Sequence, residues 1–274
     1  MQTKSKNRIR ILTECSIMIA LSTVLSIIKL IELPYGGSVT VASMLPIVII
    51  ATRHGTPTGL CAAFAAGAIQ LLLGLNNLSY FTTWYSVVAI IFLDYIIAFA
   101  VFGLSGIFRR IMSNQGLSML VGALFASIAR YVCHVISGAT VWAGLSSPDS
   151  AALLYSLGYN ATYMIPETVV LLISVAYIGA SLDFSREIPT PISRKKLNTG
   201  ATVLTFAAGF LVLVGLAVDS VLVFSKLQNP DTGDFMITGL SSVNWLTVGI
   251  VTASAAIFGA LLVIIAQRVQ RNKA

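Results

Sequence analysis

Charge is what this sequence has least of. Asp, Glu, Lys and Arg make up 10% of its 274 residues, where a soluble globular domain carries about 25%. Histidine is scarcer still. His54 and His134 stand alone, which argues against a His-based zinc site. The three cysteines, Cys15, Cys61 and Cys133, are isolated inside apolar runs, so neither metal-ligand spacing nor a disulfide framework is present. No G-x-x-x-x-G-K-[ST] occurs, so ATP is not bound through a P-loop; H-E-x-x-H and G-x-S-x-G are missing too. Ser105 and Ser137 each precede Gly, but no base accompanies them. These absences favour a membrane binding protein over a hydrolase. Energy for uphill movement would come from a partner or an ion gradient.

What fills the sequence instead is apolar. Hydrophobic residues reach 57% and the mean hydropathy is +0.89, which marks an all-α polytopic membrane protein. Eight apolar segments are expected, near 11–30, 39–52, 58–75, 87–107, 117–143, 152–180, 199–224 and 242–267. The second and third are short for a span. Lys4, Lys6, Arg8 and Arg10 precede the first run, which carries Glu14 and reads as a retained helix. With eight crossings and a cytoplasmic N-terminus, 14 of the 17 Lys and Arg fall inside, leaving Lys29 and Lys226 outside and Arg130 within a span. That bias fits the positive-inside rule, with both termini cytoplasmic at the cell membrane. The net charge of +7 therefore belongs to topology. The partner it implies is the lipid bilayer, not nucleic acid.

The chemistry concentrates in three stretches. Arg130, His134, Gly138 and Trp142 recur every four residues and share one helical face. Lipid cannot tolerate that face, so it lines a cavity or holds helices together. Asp94-Tyr95 lies in the fourth segment, at a depth similar to Arg130. The two charges form either a structural ion pair or counter-charges around a ligand. Tyr155, Tyr159 and Tyr163 share a face beside Asn160, a set that suits a flat, nitrogen-rich ring. Pro166-Glu167 is expected to interrupt that helix, with Glu167 a second intramembrane acid. The loop from Glu32 through Pro46 caps a pocket or ends in an ordinary Pro kink. Tyr80, Phe81, Trp84 and Tyr85 form either an interfacial belt or a lid. Ser16 and Ala20 make a small-xxx-small pair, for internal packing or for docking. Residues 183–198 read as a basic cytoplasmic linker, 199–267 as an appended hairpin and 268–274 as a basic tail.

Taken together, Gly36-Gly37-Ser38 through Leu45-Pro46, Phe92-Leu93-Asp94-Tyr95, Arg130 through Trp142 and Tyr155 through Glu167 resemble the thiamine-specific substrate-binding (S) subunit of energy-coupling factor transporters. The resemblance covers roughly residues 8–182. It implies a six-helix bundle over 1–182, with a two-helix C-terminal hairpin appended. It also implies a high-affinity thiamine pocket near the outer face and no catalysis. Thiamine is then cargo, without cofactor or metal. The implied partners are a transmembrane coupling subunit and two ABC-type ATPases. By resemblance, Asp94 faces the thiazolium, and Tyr95, Arg130, His134, Gly138, Trp142, Tyr155 and Asn160 complete the substrate site. Arg130 is expected to pair with Asp94 or another acceptor. Ser16 and Ala20 fall where the family docks on its coupling subunit. Gly37 stands where some members carry a loop Trp. The alternatives are an S subunit for another small heterocycle, or a polytopic membrane enzyme or secondary transporter.

Overall fold

A computed structural model describes residues 2–144, 150–192, 199–227 and 237–271. The chain divides into two compact units, 1–191 and 192–274. The loop residues Ser146 to Asp149, the basic residues Arg194, Lys195, Lys196 and Lys273, and Asn229 to Asp234 lie outside the described residues.

The first unit holds helices α1 (Gln2–Ile27), α2 (Leu45–His54), α3 (Thr56–Leu73), α4 (Trp84–Ile111), α5 (Gln115–Trp142) and α6 (Ser150–Ser181). All but α2 are long and apolar enough to cross a membrane. This corrects the second expected segment. Ten helical residues reach about 15 Å, half of a hydrocarbon core. The rest of 39–52 is not helical: Ser38–Thr40 (β2) pairs antiparallel with Lys29–Glu32 (β1). Ala42, at φ 53°, breaks the backbone path, and Pro46 sits in the first turn of α2. Pro has no N–H to donate back to a preceding turn, so the helix starts there.

Short as it is, α2 is the core of the bundle. Residues Pro46 through Thr52 are all buried. Small residues let the neighbours close on it. A Cβ added at Gly106 of α4 would stand 2.3 Å from the Ala51 carbonyl oxygen, and one at Gly103 would stand 2.4 Å from the Leu60 nitrogen of α3. Gly55, at φ 85°, turns the chain from α2 into α3, whose first turn carries Pro57 as expected.

The expected break at Pro166 does not occur. Helix α6 runs unbroken through it. One missing donor is tolerable in a helix that neighbours hold on several sides. Below the bundle, Arg53 pairs with Glu14 of α1, is 3% exposed, and donates to the Phe184 carbonyl at 3.2 Å. The hairpin of β3 (Leu182–Asp183) and β4 (Thr190–Pro191) therefore stays with the first unit. Outside the spans, the Asp183 carboxyl is held below the usual carboxylate range by hydrogen bonds from the Ser185 hydroxyl and amide.

The second unit contains α7 (Thr199–Leu227) and α8 (Trp245–Arg271), both long and apolar enough to span. They pack antiparallel. Gly215 meets Ala255, and the Thr252 hydroxyl donates to Asp219 Oδ2 at 2.6 Å.

Candidate functional site

A cavity of about 1030 Å³ lies among α1, α3, α4, α5, α6 and the loop at 28–44. It is at the large end of small-molecule sites, which run roughly 300–1,000 Å³. Asp94, Tyr95, Arg130, His134, Gly138, Trp142, Tyr155 and Asn160 all line it. The fold thus brings to one space the eight residues that the resemblance implied.

Asp94 is its electrostatic centre. His134 Nδ1 is 3.0 Å from Asp94 Oδ1, and Trp142 Nε1–H donates to Oδ2 at 2.9 Å. Arg130 Nε–H donates to His134 Nε2 at 3.3 Å. The imidazole thus stands between the guanidinium and the acid, touching both. Both carboxylate oxygens therefore have a nitrogen partner, and the Arg130 guanidinium stands one imidazole away from the acid. Both helices widen at this level. Asp94 sits in a π-turn, Ile91–Ile97, and Trp142 ends another, Gly138–Trp142. Such turns recur at functional sites because they re-aim side chains.

Arg130, expected to pair with Asp94 or another acceptor, takes the second course, with His134 Nε2 as the acceptor. His134 stands between Arg130 and Asp94, one helical turn from Arg130. The guanidinium also covers the Phe99 ring at 4.4 Å from its centroid, a cation–π contact. The depth argument assumed regular α-helix, and the π-turn around Asp94 changes its register. Phe99 carried no signal in the sequence, because one more Phe in an apolar run is uninformative.

Asn160 staples α5 to α6. Its amide nitrogen donates to the Ser156 carbonyl at 2.9 Å and the His134 carbonyl at 3.3 Å. Its oxygen accepts from the Tyr163 hydroxyl at 2.8 Å and has capacity for one more bond. Gly138 permits that approach. A Cβ there would be 2.2 Å from Ser156 Oγ. Tyr155 and Tyr159 lie parallel, with centroids 6.4 Å apart. Tyr95 is buried, donates to the Gly74 carbonyl at 3.2 Å and accepts from Asn77 at 3.1 Å. It fixes the loop after α3.

Aromatic rings crowd the Trp142 end. Tyr35, Tyr80 and Phe81 have centroids 6.1, 5.8 and 4.8 Å from Trp142. Trp84 and Tyr85 turn outward, 77% and 61% exposed. The four aromatics of this loop thus split: Tyr80 and Phe81 meet Trp142, and Trp84 and Tyr85 meet each other. Tyr35, at φ 64°, was not singled out; its signal was the adjacent Gly36-Gly37 turn. Gly37 has no room for the family's Trp, since a Cβ would meet Tyr163 at 2.8 Å and Tyr159 Oη at 2.9 Å. Ser16 and Ala20 lie apart from the cavity on an exposed face of α1.

The arrangement is an acid-bearing pocket walled in part by aromatic rings. Comparison with known proteins identifies the family. The family described as "Thiamine transporter protein" matches residues 12–184. The chain belongs to this family. It is therefore a multi-pass membrane protein of a transporter family. The thiamine transporter ThiT of Bacillus subtilis is 34% identical over 178 residues, covering 61% of this chain and 88% of that protein. ThiT of Lacticaseibacillus paracasei is 27% identical over 161 residues, covering 55% and 74%. The solved structure of ThiT from Listeria monocytogenes superposes with a TM-score of 0.50 at 25% identity, covering 63% of this chain and 94% of that one. The family match ends at residue 184, so α7 and α8 lie beyond it.

Proposed function

We propose that this chain is the thiamine-binding S subunit of an energy-coupling factor transporter and that the cavity around Asp94 is its thiamine site. The observation that carries this is an acid inside a membrane-spanning helix, Asp94, held by His134 and Trp142 among aromatic rings. Thiamine brings one positive charge on a thiazolium and a flat aminopyrimidine. Asp94 opposes the charge. Trp142 and the tyrosines of α6 receive the rings, and a desolvated cation–π contact contributes about 2 kcal/mol. Arg130 acts through His134: it fixes the ring tautomer, which in turn aims the carboxylate. Asn160 supplies its remaining acceptor capacity to the aminopyrimidine.

The mouth opens at the outer face, and both termini are cytoplasmic. The positive-inside distribution of Lys and Arg supports this. The chain carries no P-loop, so uptake draws on a transmembrane coupling subunit and two ATPases. The exposed Ser16/Ala20 face of α1 is the docking surface for the coupling subunit. The functional unit ends near residue 182, and 199–267 is an addition to it. Thiamine titration of the purified protein, followed by Trp fluorescence, tests the reading. Saturable quenching of Trp142 is expected. Folded protein that shows neither quenching nor saturable binding would refute it.

A further inference from the structure

One buried acid of the cavity is left over once Asp94 has been assigned. Glu167 is 9% exposed and lies in the membrane-spanning part of α6. Arg130 of α5 faces it electrostatically, but its hydrogen-bond partners among the described residues come from the loop at 28–44, more than 120 residues earlier in sequence. The Thr40 amide donates to Oε2 at 2.5 Å, and the Thr40 hydroxyl donates to Oε1 at 2.7 Å. The Ser43 hydroxyl lies 3.4 Å from Oε1 and 2.9 Å from Thr40 Oγ1. On the far side, the buried Ser22 hydroxyl of α1 donates to the Ser43 carbonyl at 2.7 Å. The loop is thus tied between α6 and α1 at membrane depth.

It needs such ties. Tyr35 and Ala42 both hold positive φ, at 64° and 53°, conformations that L-residues avoid unless their surroundings over-determine them. Ala42 lies between the two Glu167 partners. Irregular backbone at this depth also requires acceptors for its N–H groups, and Glu167 is the one that reaches Thr40. The same loop carries Tyr35 to Trp142 and Gly37 to the α6 tyrosines.

We propose that Glu167 is a positioning residue for the substrate site: it anchors residues 38–43 as one wall of the cavity and so keeps the bound ligand from escaping. The ligand assignment rests on the thiamine reading above, whereas the anchoring does not. Glu167→Gln is the discriminating variant. Thr40 donates to two separate oxygens, and a Gln replaces one of them by an NH₂ that faces a donor. In the purified full-length protein, thiamine dissociation is expected to accelerate about tenfold, as loss of a buried hydrogen bond to a charged group implies. Hydrogen–deuterium exchange of residues 36–44 should rise in parallel, without thiamine present, while exchange in α3 and α5 stays unchanged. Thr40→Ser retains both donors and should behave as wild type. Thr40→Val removes the hydroxyl from the loop side and carries the same expectation if Glu167→Gln does not fold. Unchanged exchange and dissociation in the folded variants would overturn the proposal. A wild-type protein that binds no thiamine would overturn the ligand reading alone, because the exchange comparison still tests the anchor.

Discussion

Replacing Asp94 by Asn separates charge from shape. The side chain keeps its size and one acceptor oxygen. His134 and Trp142 now donate to Oδ1 and Oδ2 at 3.0 and 2.9 Å, so one of them meets an amide NH₂ instead. Loss of that hydrogen bond, charge-assisted because it ends on a carboxylate, costs about 1.5–3 kcal/mol for any ligand, charged or not. The charge term applies to a cation only. Two unit charges about 4 Å apart at an effective dielectric of 20 interact by roughly 4 kcal/mol. Desolvation of the cation offsets part of this, leaving about 2–3 kcal/mol, or roughly a 30- to 150-fold loss of affinity. The assay is parallel titration of wild type and Asp94→Asn with thiamine and with a neutral deaza-type analogue. The analogue should lose the share of the hydrogen bond alone, and thiamine should lose that share multiplied by the factor of the charge term. Equal losses for both ligands would refute the reasoning. Asp94 would then be holding His134 and Trp142 in place rather than opposing a charge.

Two further perturbations probe the frame around that acid. Gly138→Ala places a methyl 2.2 Å from Ser156 Oγ and 3.1 Å from its Cβ, so α5 must withdraw from α6. Overpacking of this kind lowers stability by about 1–3 kcal/mol, read as a lower thermal midpoint in detergent with weaker thiamine binding; an unchanged midpoint would show that the helices are not in such close contact. Ser16→Trp or Ala20→Trp enlarges the exposed face of α1, remote from the cavity. Thiamine affinity should stay within about twofold while uptake by cells carrying the whole transporter is lost; loss of binding as well would make the pair internal packing.

Much of this site was legible in the residues because a membrane narrows the options. An Asp, an Arg and a His in apolar runs have nowhere to go but inward. A four-residue spacing on a helix fixes their common face whatever the tertiary contacts. That is why Asp94, Arg130, His134, Gly138 and Trp142 line one cavity; Tyr95, Tyr155 and Asn160, named as site residues by the resemblance, line it too. Their pairing was not legible. Arg130 and Asp94 look like partners when only charge and depth are known. The π-turns at Ile91–Ile97 and Gly138–Trp142 change the register by local hydrogen bonding that no composition reveals, and His134 takes the place expected for Arg130.

The second apolar segment shows the same division. Its hydropathy marks it as buried, and its residues are. Hydropathy cannot say whether burial is in lipid or in protein. Helix α2 is half a span because α1, α3, α4 and α5 wrap it, which lets the backbone before it leave the helix and form the pocket wall. Glu167 belongs to both accounts. As an acid at membrane depth it announced that something must meet it. Only the folded chain shows that the partner is Thr40, 127 residues away. By itself the sequence determined which side chains must avoid lipid and on which helical faces they lie, because those follow from local periodicity and solvation. The tertiary structure decided which donor meets which acceptor, because that depends on backbone register and on segments far apart along the chain.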